Sequence, residues 1–436
     1  MKNYLHFSEP FFRMTSILYS DNSMHFSRFP SILVVGAGHC GGRTVQALRE
    51  FGWQGPIDLV GDEPGLPYER PPLSKDALTG AKAHDALDLM TAEAMHALNV
   101  QHHRARLVAL EPQEQLATLS DSSTLHYGAM LFANGGAPRS LAIPGADLPG
   151  VLTLRSKADA LLLAPTLRER QHIVIIGGGF IGLEVASSAR KMGCAVSLVE
   201  GAPQLMGRAV PKLLADRAQA LHVARGVDMH LCVSPLHIAR NSTGLEVALS
   251  DGARLQADVV LIGIGIQAGI DVAQAAGIAV ARGILVNRQL QTSMPHVYAA
   301  GDVAEFPSHV TGTLLRQETW QNAESQARVA AHNLMGGRVD FNTHSWFWSD
   351  QYDYQLQVSG EPAAGVQTIV REQEDGDVLV FYTDAHHKIV GACGWGLTSR
   401  LAKDMKLART LVERGVSASA ETLADPATKL KALLKA

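Results

Sequence analysis

The sequence predicts an α/β protein, with two Rossmann-like dinucleotide-binding domains followed by a smaller C-terminal α+β domain. Three observations carry that prediction. A glycine fingerprint occurs twice, each time at the end of an apolar run: Ile32-Leu-Val-Val-Gly36-Ala-Gly38-His-Cys-Gly41-Gly42 and His172-Ile-Val-Ile-Ile-Gly177-Gly-Gly179-Phe-Ile-Gly182-Leu-Glu184. Each copy is followed by a second apolar run that ends in carboxylates, Ile57-Asp-Leu-Val60-Gly61-Asp62-Glu63 and Ala195-Val-Ser-Leu-Val199-Glu200. From Trp346 onward the pattern changes to short strands around turn residues.

The fingerprint has a local physical logic. The first glycine permits the tight turn out of the strand, the second lets backbone approach a pyrophosphate, and the third lets helix pack on strand. Free N–H groups at the helix start then meet the phosphate charge. Asp62 or Glu63 after the first loop, and Glu200 after the second, lie roughly 20 residues beyond the last glycine, where a carboxylate can hold ribose hydroxyls. A carboxylate there binds a free 2′-hydroxyl and repels a 2′-phosphate, so the second loop calls for NADH over NADPH. Arg208, close by in sequence, softens that discrimination. Two loops suggest two dinucleotides, and electrons passed between them.

Along the chain, residues 1–30 lack periodicity, carry Glu9 and Asp21, and hold no sustained apolar segment for a signal peptide. They are expected to be a disordered extension, unless translation begins at Met14 or Met24. The first domain is expected over 31–142, closing on the strand in Tyr127-Gly-Ala-Met-Leu-Phe-Ala-Asn134. Ile143-Pro-Gly145 reads as a linker. The second domain, 143–267, ends in Asp258-Val-Val-Leu-Ile-Gly-Ile-Gly265, a continuous apolar run suited to a parallel strand covered on both faces. Val297-Tyr-Ala-Ala-Gly301-Asp302-Val303 reads as a strand, a turn and a helix start that return the chain to the first domain, making that domain discontinuous (31–142 with 268–345). The C-terminal domain, 346–436, is expected to hold strands at 366–370, 378–382 and 389–391. It should also hold a hairpin turn at Glu374-Asp-Gly376-Asp and helices near 399–414 and 420–434.

Composition sets further bounds. A chain of 436 residues suffices for two or three domains, and 46% apolar with 18% charged residues fits large cores. A net charge of −4 gives no electrostatic footprint for nucleic acid. No apolar run reaches the roughly 18 residues needed to span a bilayer. Cys40, Cys194, Cys232 and Cys393 form no C-x-x-C or similar pair, which removes a local metal cluster and a local redox disulfide. Each is read as a buried small side chain in a reducing cytoplasm. The doublets His102-His103 and His386-His387 lack metal-ligand spacing and read as surface residues. No metal is expected.

Four stretches are more specific: Gly61-Asp-Glu-Pro-Gly-Leu-Pro67-Tyr68-Glu-Arg70-Pro-Pro-Leu-Ser-Lys75, Gly179-Phe-Ile-Gly-Leu-Glu184, Ala299-Ala-Gly-Asp302-Val-Ala and Trp346-Phe-Trp348-Ser-Asp-Gln-Tyr. In this order they resemble the FAD-dependent ferredoxin–NAD(+) reductases of bacterial oxygenase systems. That family includes putidaredoxin and rubredoxin reductases and is related to apoptosis-inducing factor. The resemblance runs from about residue 31 to the C-terminus. It implies a glutathione-reductase-like fold with FAD on the first domain, NADH on the second, and the C-terminal domain beside the flavin. It further implies that Gly36, Gly38 and Gly41 meet the FAD pyrophosphate, and Asp62 or Glu63 the adenosine ribose. Arg70 and Lys75 look like flavin-side contacts, Val108 like a backbone contact to the adenine, and Asp302 like the residue that fixes the ribityl chain. Glu318, Thr319, Trp320 and Trp348 look like the wall around isoalloxazine and nicotinamide. Gly177, Gly179, Gly182, Glu200 and Gly265 are similar to the NADH contacts. Glu184 is expected to pair with Lys75, these two being the residues assigned to catalysis; a fixed cation there would favour electron density arriving on the ring. The bland alternatives make Arg70 and Lys75 surface cations, Trp320 and Trp348 core aromatics, and Glu184 a solvated helix residue.

Related disulfide reductases place a cysteine pair beside the flavin, whereas residues 67–75 contain no sulfur. Electrons from NADH are therefore expected to leave the FAD singly, to a [2Fe–2S] ferredoxin feeding a ring-hydroxylating dioxygenase or P450 in aromatic hydrocarbon catabolism. The alternatives are an NADH:rubredoxin reductase, an NADH oxidase, or a redox-sensing interaction protein like apoptosis-inducing factor. A monomer or homodimer is expected, without nucleic-acid or membrane partners. The chain also departs from the family. Asn134 stands where threonine is usual, Gly128 where aspartate is, and Ser345 where proline is. Gln267-Ala-Gly269 replaces a common Pro-Asn turn, and Gly391-Ala-Cys-Gly-Trp395-Gly diverges.

Overall fold

The computed structural model describes residues 29–207, 209–373 and 375–435. The expectations for residues 1–28, Arg208 and Glu374 lie outside the described residues.

Strand Ile32–Val35, apolar and buried at every position, lies at the centre of a five-stranded parallel sheet. Its neighbours are Ile57–Val60 on one side and Ala129–Phe132 on the other, in register Ile32↔Ile57 and Ile32↔Ala129. Val100–His103 and Val297–Ala299 form the two edges. The late strand Val297–Ala299 thus rejoins the first sheet, as its sequence suggested. A second parallel sheet runs in the order Val227–Leu231, Ala195–Glu200, His172–Ile176, Val259–Ile262 and Val151–Leu152. The chain crosses between these sheets through a two-stranded antiparallel ribbon, Gly136–Pro138 paired with Ile266–Ala268. The third sheet, antiparallel, orders Trp346–Gln351, Tyr354–Gly360, Ile389–Leu397, Val378–Thr383 and Gln367–Glu372, and helix Thr398–Glu413 packs against it.

Several local expectations need correction. Gly301–Val303 is a single 3-10 turn that leads into strand Ala304–Pro307, and the long helix waits until Trp320–Leu334. The strand wins because buried Glu305 accepts hydrogen bonds from the Arg282 guanidinium and from the Arg282 and Gly283 amides, tying it to the segment beside it. The strand expected at 389–391 extends to Leu397 despite three glycines. Those glycines give room: a Cβ on Gly394 would lie 2.6 Å from the Met405 sulfur, and one on Gly396 2.4 Å from the Asp377 carboxyl carbon. The helix expected at 420–434 is two short pieces, Ala420–Ala424 and Leu430–Leu433, broken at Asp425-Pro426. Buried Arg371 donates to the carbonyl oxygens of Asp425, Pro426 and Thr428 left free by the break. Cys232 is exposed, not buried. His103 is not a free surface residue; it meets Asp58 at 2.7 Å, and its neighbour His102 is half-buried.

Candidate functional site

Both fingerprint loops adopt the backbone that their glycines make possible. Gly36 and Gly177 turn with φ of 113° and 116°, a region L side chains avoid. A Cβ on Gly41 would sit 1.9 Å from the Gly36 carbonyl oxygen, and one on Gly182 2.1 Å from that of Gly177, so helix and strand touch there. The middle glycines are different. A Cβ on Gly179 would meet nothing within 4 Å, and one on Gly38 only the Arg70 guanidinium at 3.7 Å. Helices His39–Glu50 and Phe180–Lys191 start at Gly38 and Gly179 without a side-chain cap, whereas Thr319 caps helix Trp320–Leu334. Uncapped N–H donors facing open space suit a diphosphate at each loop.

The carboxylates after the loops are held differently. Glu63 accepts from the Tyr68 hydroxyl and from Arg70 Nη2, both at 2.5 Å, while Asp62 is exposed, 3.8 Å from Arg106. Glu200 accepts from the backbone amides of Gly178 (2.7 Å) and Ala202 (2.8 Å), which fixes it at the mouth of the second loop. Gly265 turns at φ 93°, with open space where a Cβ would stand. Arg70 also donates to the Arg155 carbonyl oxygen at 2.6 Å. Burial works against the Arg70 charge, yet Tyr68, Glu63 and Asp302 together raise its pKa.

Lys75 and Glu184 meet where three parts of the chain join. Lys75 Nζ lies 2.9 Å from Glu184 Oε2, and the same carboxylate accepts from the Ser74 hydroxyl (2.5 Å) and the Ser349 hydroxyl (2.8 Å). Ser188 donates to the Ser74 carbonyl oxygen, and the Tyr352 amide donates to Ser187. Glu184 is therefore not solvated but buried, its charge matched by one cation and two hydroxyls.

The aromatic residues also converge. Trp320 stands edge-on to Trp348 with ring centres 6.0 Å apart, and Trp346 stacks on Trp348 at 5.0 Å. His39, in the first turn of the first fingerprint helix, packs 5.2 Å from Trp320 and bonds Glu324 at 2.9 Å. Glu318 pairs with Arg316 at 2.6 Å, and Arg316 donates to the Asp302 carbonyl oxygen. Val108 stands apart from this group. It lies half-exposed at a register shift in the small antiparallel sheet of Leu107–Glu111, Leu116–Leu119 and Thr124–His126. Cys40, within the first loop, lies against Gly301; burial, with Asp302 and Glu324, pushes its pKa far up, so it stays a protonated thiol.

Residues 30–327 match the family model of pyridine nucleotide-disulphide oxidoreductases. The chain belongs to that family. Residues 346–434 match a separate model, the reductase C-terminal domain. Among curated proteins, the chain is 36% identical over 406 residues to the anthranilate 1,2-dioxygenase system ferredoxin–NAD(+) reductase component of Burkholderia cepacia, covering 92% of this chain and 98% of that protein. It is 36% identical over 402 residues to the p-cumate 2,3-dioxygenase system reductase component of Pseudomonas putida, covering 92% and 97%. Among solved structures, it superposes with a TM-score of 0.87 and 34% identity on the ferredoxin reductase for the CYP199A2 system of Rhodopseudomonas palustris, covering 92% and 99%. The reductase in a covalent putidaredoxin reductase–putidaredoxin complex gives a TM-score of 0.87 at 31% identity, covering 93% and 98%. FAD and NADH are the cofactors this family membership brings, and two glycine loops whose helix starts lack side-chain caps fit them.

The structure adds Arg155, which sequence reading passed over. Its Nη2 lies 2.9 Å from Asp302 Oδ2, while its buried Nε has no hydrogen-bond partner among the described residues. Arg155 sits between the two fingerprints in sequence and inside neither, so only the fold brings it to Asp302.

Proposed function

We propose that this chain takes a hydride from NADH onto FAD and passes single electrons to a [2Fe–2S] ferredoxin. That ferredoxin would serve a ring-hydroxylating dioxygenase or a P450 in aromatic hydrocarbon catabolism. The observation that carries the reading is the Lys75–Glu184 pair, where the Ser74–Lys75 segment, the second fingerprint helix and the C-terminal sheet join. It occupies the segment where disulfide reductases carry cysteines, so electrons reaching this junction meet an ammonium and no thiol. The naming of relatives as ferredoxin–NAD(+) reductase components of dioxygenase systems supports the same acceptor.

Residues 31–142 with 268–345 form the FAD-binding domain in this reading, 143–267 the NADH-binding domain, and 346–436 the C-terminal domain. Gly36, Gly38 and Gly41 hold the FAD pyrophosphate, with Arg70 over it. Glu63, or Asp62 beside it, holds the adenosine ribose, and Asp302, fixed by Arg155, orients the ribityl chain. Gly177, Gly179, Gly182, Glu200 and Gly265 hold NADH. Thr319, Trp320 and Trp348 exclude water from the reacting faces, and Glu318 lies at the nicotinamide side. Val108 keeps the adenine contact on the resemblance alone. FAD, when bound, supplies acceptance of a hydride and release of single electrons. Lys75 contributes a positive charge held in place by Glu184, and the loops contribute distance and orientation.

We place the protein in the cytoplasm, in keeping with four free cysteines. No helix among the described residues is long and apolar enough to cross a membrane. Anaerobic mixing of the holoenzyme, NADH and a [2Fe–2S] ferredoxin tests the reading. Rapid loss of the ferredoxin's visible absorbance supports it. NADH consumption that needs oxygen and ignores ferredoxin points to an oxidase. A flavin that is reduced once and then does not turn over points to a redox sensor.

A further inference from the structure

Asn134 and Gly269 face each other at the end of the ribbon between the sheets. Asn134 Nδ2 donates to the Gly269 carbonyl oxygen at 2.8 Å, and the Gly269 amide donates to the Gly135 carbonyl oxygen at 3.0 Å. A Cβ on Gly269 would come within 2.5 Å of Asn134 Nδ2, so the glycine makes room for the amide.

We infer that the Asn134–Gly269 bond is a latch positioning the two dinucleotide loops for hydride transfer. Both ends of the latch lead to a loop. The Ala133 carbonyl oxygen and the Asn134 amide lie 2.3 and 2.6 Å from where a Cβ on Gly36 would stand, so residue 134 is packed directly on the first fingerprint glycine. Gly269 follows strand Ile266–Ala268, which starts three residues after Gly263, and the Gly263 carbonyl oxygen lies 2.4 Å from where a Cβ on Gly177 of the second loop would stand. The strand pairs Gly136↔Ala268, Ala137↔Gln267 and Pro138↔Ile266 make the ribbon stiff between those ends. A hydride moves efficiently only between atoms roughly 3–3.5 Å apart, so a small swing of the ribbon changes the rate while leaving both sites intact. Asn134 is a positioning residue in this account, touching neither reacting atom.

The inference rests on the reading that the first loop holds FAD and the second NADH. Its test compares the holoenzyme with Asn134→Thr, Gly269→Ala, Gly269→Asn and the exchange Asn134→Thr/Gly269→Asn. Flavin bleaching by saturating NADH is followed anaerobically, alongside hydrogen–deuterium exchange of amides 136–138 and 266–269. The loss of one hydrogen bond should slow bleaching about two- to tenfold in Asn134→Thr and in Gly269→Ala, with faster amide exchange in the ribbon. The exchange variant should recover both toward wild type, a non-additive result. Single variants that bleach and exchange like wild type overturn the latch, as does an exchange variant as slow as the product of its singles. If Asn134→Thr loses flavin, Gly269→Ala reads the same bond from its other end. A wild type that NADH does not bleach would instead refute the assignment of the loops.

Discussion

Gly36 and Gly177 turn alike, and Gly41 and Gly182 pack on their carbonyl oxygens at nearly the same distance, yet the two loops are closed by different chemistry. The first has Arg70 standing over Gly38, held by Glu63, Tyr68 and the Arg155 carbonyl oxygen. The second has open space at Gly179, and near it at Gly265, with its carboxylate, Glu200, tied among the described residues to backbone amides. The same fingerprint therefore gives a covered site and an open one. A covered site suits a cofactor that stays for many turnovers, and an open one suits a cosubstrate that leaves after each.

The largest expected effect comes from filling the third glycine of each loop. Gly41→Ala and Gly182→Ala force a Cβ onto a backbone carbonyl, overpacking that costs roughly 1–3 kcal/mol or more and displaces the loop. Gly41→Ala should purify without flavin. Gly182→Ala should keep its yellow colour and bleach with dithionite, while bleaching by NADH falls by about 100-fold. Absorbance at the flavin band distinguishes them, and equal loss of flavin from both would erase the contrast between the loops.

Acid should weaken the seam between the second unit and the third sheet. His222, fully buried on helix Lys212–Ala224, bonds Gln351 and Tyr352 of the third sheet, and burial lowers its pKa to about 4. The unfolded chain takes up this proton near pH 6.5 and the folded one only near 4, so stability falls as pH drops through that window. The loss is on the order of 3 kcal/mol by pH 4. Thermal melts of His222→Gln between pH 7 and 4 should show a shallower decline than wild type, and parallel curves would count against the assignment.

Lys75→Met should slow flavin bleaching by NADH about 10- to 100-fold, since it removes the one cation placed on Glu184. Glu184→Gln, which leaves Lys75 without its partner, should slow it less. Unchanged bleaching in Lys75→Met would sink the electrostatic role. The smallest effect belongs to Glu200→Gln: preference for NADH over NADPH in kcat/KM should fall about tenfold. A preference that stays intact would assign the discrimination elsewhere.

Both glycine loops and their carboxylates were legible because each lies in one contiguous stretch whose local geometry needs those residues. The return of Val297–Ala299 to the first sheet was legible for the same reason, as an apolar run ending in Gly301-Asp302. Residues that act at seams were harder. Glu184 looks like a solvated helix residue until Ser74 and Ser349, from distant segments, close over it. Arg155 has no motif and gains meaning only beside Asp302. Strand Ile389–Leu397 was read too short because its glycines signal breaks locally, whereas the fold uses them to admit Met405 and Asp377. The break at Asp425-Pro426 went unread because Arg371, more than fifty residues away, supplies its hydrogen bonds.

The contrast between a covered and an open loop is tested most directly by cofactor retention. Purified protein is mixed with excess NADH, reoxidised, and passed through gel filtration, and the protein peak is assayed for flavin and nicotinamide before fresh NADH is added. The account predicts that flavin stays with the protein, NAD(H) elutes free, and the fresh NADH bleaches the flavin again. Flavin eluting free, or nicotinamide remaining bound through the column, would contradict it.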